Sequence, residues 1–393
     1  MKMIKLLVKT ILVCSFALLL IGCTKTDDPK DNQPTEDKCK LTLKYNQEGM
    51  EDEVIEYDYA SIVTLPSKDI KNFLGWTYVN SDEIITDEFM IYADTVVIAK
   101  YKQEKTMDVL DLSTPTKQKN NYKLYKDITF KVVGDVELKL DIYYPTNDSD
   151  NKPVLFSYFG GGWIVGSKES EYYTLIYQKL LTEGFVIVKP NYRLCNGGVS
   201  FPSPVEDCLD AIRYIVKYKD VLKIDVNTMG SIGYSAGAHL ALMAGFAQDH
   251  FKAYDELKDY DYKLKFVCDY FGPSYFDLDE FDLIGERGKI MLGSFLGTLT
   301  IDESYAVAFP STYVTENKPN LLIVHSLSDD TVPPTQSIKF KQLCDENGIE
   351  TSIILVEGAT HMLDNNYKTS EDNPSLVQIF NMTVEYIKTQ AGK

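Results

Sequence analysis

The chain has 393 residues, 44% hydrophobic and 25% charged, with 23 Gly and 15 Pro, the usage of a folded globular protein rather than of a disordered or collagen-like one. At roughly 150 residues per domain this is length for two or three domains and at least one sizeable core. The formal charge of -18, from 40 Lys and Arg against 58 Asp and Glu, argues against nucleic acid or an anionic membrane surface as a partner, because both need a basic patch.

Lys2, Lys5 and Lys9 open the chain with positive charge, and Thr10 to Gly22 is apolar but shorter than the roughly 20 residues of a comfortable membrane span. Residues 1-22 therefore read as a secretory signal. Their end, Leu20-Ile21-Gly22-Cys23, resembles the bacterial lipobox, and the resemblance implies that Cys23 receives a diacylglycerol. Two acyl chains hold a protein stably on a bilayer where one does not. The expectation is a lipid-anchored protein of the bacterial cell envelope, facing outside the cytoplasm, with residues 23-38 as lipidated Cys and flexible tether.

Beyond Cys14 and Cys23 the chain has Cys39, Cys195, Cys208, Cys268 and Cys344, an odd number without C-x-x-C spacing. Neither a disulfide framework nor a zinc ribbon is indicated. His239, His250, His325 and His361 form no H-x-x-x-H or H-E-x-x-H pair, so no metal and no cofactor is expected.

Residues 39-102 read as a small β-rich module, since Leu41 to Tyr45 and Thr95 to Tyr101 alternate like half-buried strands. Phe73-Leu74-Gly75-Trp76, Tyr92-Ala93-Asp94-Thr95 and Ala99-Lys100-Tyr101 resemble the B-repeat of internalins, a β-grasp-like unit, present in a single copy. Trp76 is expected in its core rather than on a sugar-stacking platform. Contact of the module with the cell surface or a glycan stays open. Residues 103-120 read as a linker with an apolar dock at Val109-Leu110.

From 121 to 393 strands alternate with helices. Val154 to Tyr158, Phe185 to Val188 and Leu321 to Val324 are near-continuous apolar runs that suit strands buried on both faces of a parallel sheet. Helical patterns cover Val205 to Lys219 and Ala236 to Ala247. The class is α/β, a mostly parallel doubly wound sheet.

Gly233-Tyr234-Ser235-Ala236-Gly237 lies between a strand and a helix, the context of a G-x-S-x-G nucleophile elbow. Small residues are needed because the turn is tight and a side chain at either Gly would collide with backbone. A serine nucleophile needs a base and an acid that orients it. His239 is four residues beyond Ser235 on the same helix and reads as a packed neighbour, His250 as a cap or surface residue, and His325 as a turn or packing residue. His361, after the strand Thr351 to Val356, is the candidate base. Asp329 is the candidate acid, with Asp330 in reserve. The order Ser235, Asp329, His361 is that of α/β-hydrolases. The oxyanion donors are assigned to Ala236, directly after the nucleophile, and to Gly161 and Gly162, in a loop after Val154 to Tyr158 that is expected to open a helix. A phosphate loop is the rival reading there, but Gly161-x4-Gly166 continues Ser167-Lys168, the reverse of G-K-[ST].

Residues 121 to 390 resemble α/β-hydrolases of the carboxylesterase and hormone-sensitive-lipase type, especially the bacterial feruloyl-esterase-like (BD-FAE) branch. The carriers are Gly160 to Trp163, Asn191-Tyr192-Arg193-Leu194, Phe201-Pro202 with Glu206-Asp207, Gly233 to Leu240, and the Asp329 and His361 segments. The resemblance implies a metal-free serine esterase acting on small acyl or aryl esters, among them acetyl or feruloyl esters of polysaccharide. Phe159 stands where the family usually has His, which bears on loop geometry and substrate preference more than on reaction class. Residues 274-312 are expected to cap the pocket with Tyr and Phe. A serine peptidase of the prolyl-oligopeptidase type and an inactive adhesin or binding lipoprotein are the alternatives.

Overall fold

The computed structural model describes residues 38–393 except 48, 71, 82, 103, 104, 148, 282, 283 and 364–366. The signal 1-22, Cys23 and the tether up to residue 37 lie outside the described residues. The described residues fall into two compact units that divide between residues 104 and 105.

The first unit carries a four-stranded sheet in the order β2-β1-β6-β4, from β1 (Lys38–Lys44), β2 (Glu53–Asp58), β4 (Phe73–Tyr78) and β6 (Thr95–Tyr101). Its first and last strands run parallel at the centre, while β3 (Ser61–Val63) and β5 (Phe89–Ile91) form a separate antiparallel pair. Alternation along β1 buries Cys39, Leu41 and Leu43 against Trp76 and Val97. Trp76 belongs to this core, its Nε1–H donating to Pro66 O at 2.7 Å and its ring meeting Tyr45 and Phe73 edge-on.

The second unit is built on a nine-stranded sheet in the order β15-β14-β13-β12-β10-β11-β9-β8-β7. Its strands are β7 (Lys117–Gln118), β8 (Tyr122–Val133), β9 (Val136–Pro145), β10 (Val154–Tyr158), β11 (Val186–Pro190), β12 (Gly230–Tyr234), β13 (Phe266–Tyr270), β14 (Asn320–Ser326) and β15 (Thr351–Val356). From β11 to β15 all pairings are parallel, and β9 joins β11 antiparallel. Apolar runs form these strands because both faces are covered: on β14, Leu321 and Ile323 face one core and Leu322 and Val324 the other. Helices α1 (Thr174–Thr182), α2 (Ser203–Lys217), α3 (Ala236–Phe246), α4 (Glu286–Leu296), α5 (Pro334–Glu346) and α6 (Leu376–Gln390) accompany the sheet. The strand order reverses between β10 and β12, and in open α/β sheets ligands bind beyond the C-terminal strand ends at such a switch point.

The segment expected to be a linker is divided. Residues from Lys105 onward belong to the second unit, because Leu110 is buried, Asp108 O accepts from Tyr214 Oη–H at 2.8 Å, and Lys117–Gln118 pairs with β8. Val109, half of the expected dock, is 81% exposed. Cys39, Cys195, Cys208, Cys268 and Cys344 are all free and buried.

Candidate active site

Ser235 joins β12 to α3 at φ 53° and ψ -127°, a conformation that a non-glycine residue holds only where its surroundings enforce it. Ser235 N–H donates to Tyr270 O at 2.9 Å, and Ser235 O accepts from the N–H groups of Ala238 and His239 at 2.9 and 3.2 Å. A Cβ on Gly233 would strike the carbonyl of Gly237, and one on Gly237 would strike the backbone of Tyr158 and Phe159. Both glycines of the elbow are required by close approach.

The ends of three strands bring the reacting side chains together. His361 Nε2 lies 3.0 Å from Ser235 Oγ, and His361 Nδ1 lies 2.7 Å from Asp329 Oδ2. A carboxylate only accepts, so Nδ1 carries the proton and the neutral ring leaves Nε2 to accept from the Ser235 hydroxyl. Asp329 Oδ1 accepts from the N–H groups of Thr331 and Val332 at 2.8 and 3.0 Å. Burial by itself would raise the Asp329 pKa, but hydrogen bonds from His325 and His361 outweigh it and hold the carboxyl well below the usual carboxylate range. Asp330 is exposed and meets Thr331 Oγ1 at 3.2 Å. The acid joined to His361 is thus Asp329, not the reserve.

His325 departs from its expected role as a turn or packing residue. It is fully buried, and its Nε2 faces two acceptors, Asp329 Oδ2 at 3.1 Å and Val332 O at 3.0 Å. Nε2 therefore carries the proton, and in the neutral ring Nδ1 accepts from Ser337 Oγ at 2.7 Å. His361 is held in turn by Phe271, a residue at φ 48° whose ring meets the imidazole at 4.8 Å between centroids. The His361 loop is tied to β14 by Ser326 Oγ–H donating to Ala359 O at 2.5 Å.

The loop after β10 does not open a helix; it forms turns, and the next helix starts at Thr174. Gly161, Gly162, Trp163 and Gly166 have φ of 129°, 59°, 59° and 110°, outside the region a right-handed helix uses. Gly162 and Ala236 line the same pocket as Ser235, whereas Gly161 does not. Ala236, as the first residue of α3, has an N–H with no intrahelical acceptor. Gly162 and Ala236 can therefore offer N–H groups to an oxyanion beside Ser235.

Phe159, in place of the usual His, stacks on Tyr192 at 4.3 Å and 11°. Tyr192 Oη–H donates to Phe159 O at 2.9 Å. Arg193 next to it grips Asp207 of α2 at both oxygens, 2.7 and 2.8 Å. The Asn191 to Leu194 segment is thereby a brace for the glycine loop. A second brace is His239, whose Nδ1 accepts from Trp163 Nε1–H at 3.3 Å and whose Nε2–H donates to Ala308 O at 2.7 Å. Burial drives the His239 pKa down to about 4, so the ring is neutral and can play both roles at once. His250 is exposed and rests on Tyr313.

The pocket at Ser235 is partly open and has a volume of about 40 Å³, with Ile284, Met291, Leu292 and Phe309 contributed by the 274-312 segment and Val332 by the acid loop. The segment does cover the pocket, but mainly with aliphatic side chains. Of its aromatics Phe309 reaches the pocket, while Tyr275, Phe276 and Tyr305 pack against the main core. The spacing His325-x3-Asp329 was visible in sequence, but nothing in it said that the two side chains share a bond. Tyr192 stood in the Asn191 to Leu194 motif without a stated role, and Met291 carried no signal beyond hydrophobic pattern.

A family model, BD-FAE, matches residues 140–343. The chain is 27% identical over 235 residues to "Probable isoprenylcysteine alpha-carbonyl methylesterase ICMEL1" of Arabidopsis thaliana, covering 57% of this chain and 48% of the relative. It spans about half the length of that curated relative. Among solved structures, a truncated carbohydrate esterase from gut microbiota superposes with TM-score 0.56 at 20% identity, covering 71% of this chain and all (100%) of the other. The propionate-bound esterase Est2 of Thermogutta terrifontis gives TM-score 0.56 at 22% identity, covering 69% and 94%. These superpositions show an α/β-hydrolase fold.

Proposed function

The chain belongs to the BD-FAE family, and from that premise we propose that it is a serine carboxylic-ester hydrolase that works through an acyl-enzyme. The observation that carries this reading is the unbroken run of hydrogen bonds from Asp329 through His361 to Ser235 at the edge of an apolar pocket. Ser235 Oγ attacks the ester carbonyl while His361 Nε2 takes its proton, and the ionised Asp329 steadies the resulting imidazolium. Charge on the carbonyl oxygen meets the N–H groups of Ala236 and Gly162. Collapse expels the alcohol, which receives the proton from His361. Water then attacks the acyl-serine with His361 as base, and the acid departs.

The test is hydrolysis of p-nitrophenyl acetate and butyrate and of a prolyl-peptide anilide by the chain without its leader. Ester turnover is expected to fall by about 10⁴-fold or more in Ser235→Ala, and the anilide to stay uncleaved. Ester turnover that survives Ser235→Ala in folded protein would overturn the reading. Labelling of Ser235 by a fluorophosphonate would separate an esterase from an inactive binding protein.

The positive leader and the lipobox-like Leu20 to Cys23 support placement on the outer side of the cell envelope through a lipid on Cys23. Cys23→Ala should then move the protein from the membrane to the soluble fraction. A glycan contact by the N-terminal module would fall to exposed Tyr59 and Tyr92, whose rings meet at 5.5 Å, rather than to buried Trp76.

A further inference from the structure

We propose that the pocket at Ser235 receives the acyl group of the ester, admits acyl chains of about four carbons or fewer, and owes that limit to Met291. The proposal rests on the esterase reading and names its substrate class.

The side of the ester that enters the pocket follows from where the proton must go. The departing alcohol takes a proton from His361 Nε2, so it must leave on the His361 side. Ser235, Gly162 and Ala236 line the pocket, and His361 does not. The pocket thus lies away from the proton donor, where the group that stays on the enzyme must be held. The leaving group faces the other way and is not bounded by these walls.

Size sets the limit. The volume of this partly open pocket is about 40 Å³, and a water-sized group needs roughly 10–15 Å³ of such space. About three heavy atoms therefore fit beyond the carbonyl carbon. An acetyl group uses one and a butyryl group three; a feruloyl group, with its substituted ring, needs several times more.

The walls differ in how far they can yield. Trp163 is clamped between its bond to His239 and a stack on Phe295 at 4.4 Å. Phe309 follows Ala308, whose carbonyl is bonded to His239, and its ring meets Phe276. Leu292 is buried in the main core. Met291 is different: it is half-buried, unbranched, and pressed against Gly162, where an added Cβ would collide with its sulfur. Shortening this side chain opens space directly beside the glycine loop.

The experiment is kcat/KM of the full chain on p-nitrophenyl acetate, butyrate, hexanoate and octanoate and on methyl ferulate, for wild type, Met291→Ala and the milder Met291→Val, with Ser235→Ala as background. The wild type is expected to lose at least tenfold between butyrate and hexanoate, and to leave methyl ferulate at background. Both Met291 variants should raise the hexanoate-to-acetate ratio, the alanine by tenfold or more. A wild-type profile that is flat or rising to octanoate, or ready turnover of methyl ferulate, would overturn the acyl limit while leaving the Ser235-dependent esterase intact. An unchanged ratio in a folded Met291 variant would overturn the assignment to Met291. Failure of the esterase reading looks different: no Ser235-dependent turnover of any ester and no fluorophosphonate label, which removes the basis of the proposal.

Discussion

Two imidazoles donate to one oxygen of Asp329, yet their surroundings give them different work. His361 reaches Ser235, whereas His325 is enclosed with Ser337 and the Val332 carbonyl. His325 acts by positioning the carboxylate and by lowering its proton affinity. His325→Leu removes that donor and should lower kcat several-fold while a fluorophosphonate still labels Ser235 in full; a residue needed only for packing would lower the labelled fraction instead. At Tyr192 the stack on Phe159 and the hydroxyl bond can be separated. Tyr192→Phe keeps the stack, and the lost bond to Phe159 O should cost about 1 kcal/mol in denaturant unfolding together with a several-fold drop in kcat.

At the scale of elements, β8, the Asn191 to Leu194 segment and α2 are locked by buried charge. Asp207 receives Lys131 at 2.8 Å and Arg193 at 2.7 Å, and Asp210 receives Lys131 at 2.7 Å and Arg213 at 2.9 Å. Removing Asp207 leaves Lys131 with Asp210 alone and takes from Arg193 its bidentate carboxylate, so Asp207→Ala should cost about 3 kcal/mol, measured by urea titration. Loss of activity should accompany it, because Arg193 no longer fixes the neighbouring Tyr192. The strands that position the site were legible as apolar runs, and Val154 to Tyr158 and Thr351 to Val356 keep the boundaries read from the sequence. The elbow was legible because its glycines and its strand-to-helix setting are local. The glycine loop was misread as a helix start because its glycines allow a tight turn as readily as a helix: Gly161 closes on Val165 and Gly166 on Phe159, while Gly162 lies against Met291, far along the chain. The same distance hid the aliphatic character of the pocket: the aromatics of 274-312 are visible in sequence, but their direction toward the core is decided by packing.

For the whole molecule, two buried groups bend the pH dependence of stability in opposite directions. Asp269 is fully buried, accepts from Gly272 N–H at 2.8 Å, and is pushed up to about 7 by desolvation. Between its unfolded value of about 3.9 and 7 the folded state holds a proton that the unfolded state has released, so stability falls as pH rises. His239, driven down to about 4 by burial, does the reverse: between 4 and about 6.5 the unfolded state holds the extra proton, and stability falls as pH drops. Thermal melts should show the two slopes largely offsetting in the wild type. In Asp269→Asn stability should climb with pH across this window, and in His239→Gln it should decline, each by an amount on the order of 3 kcal/mol. The buried thiols have a consequence of another kind. Cys195 and Cys344 are pushed up to about 12 by desolvation, and Cys208 and Cys268 lie far above their ordinary value, so the reactive thiolate is suppressed in the folded unit. Among the described residues every cysteine is free, so a reductant finds no disulfide to cleave there, and melting with and without dithiothreitol should coincide.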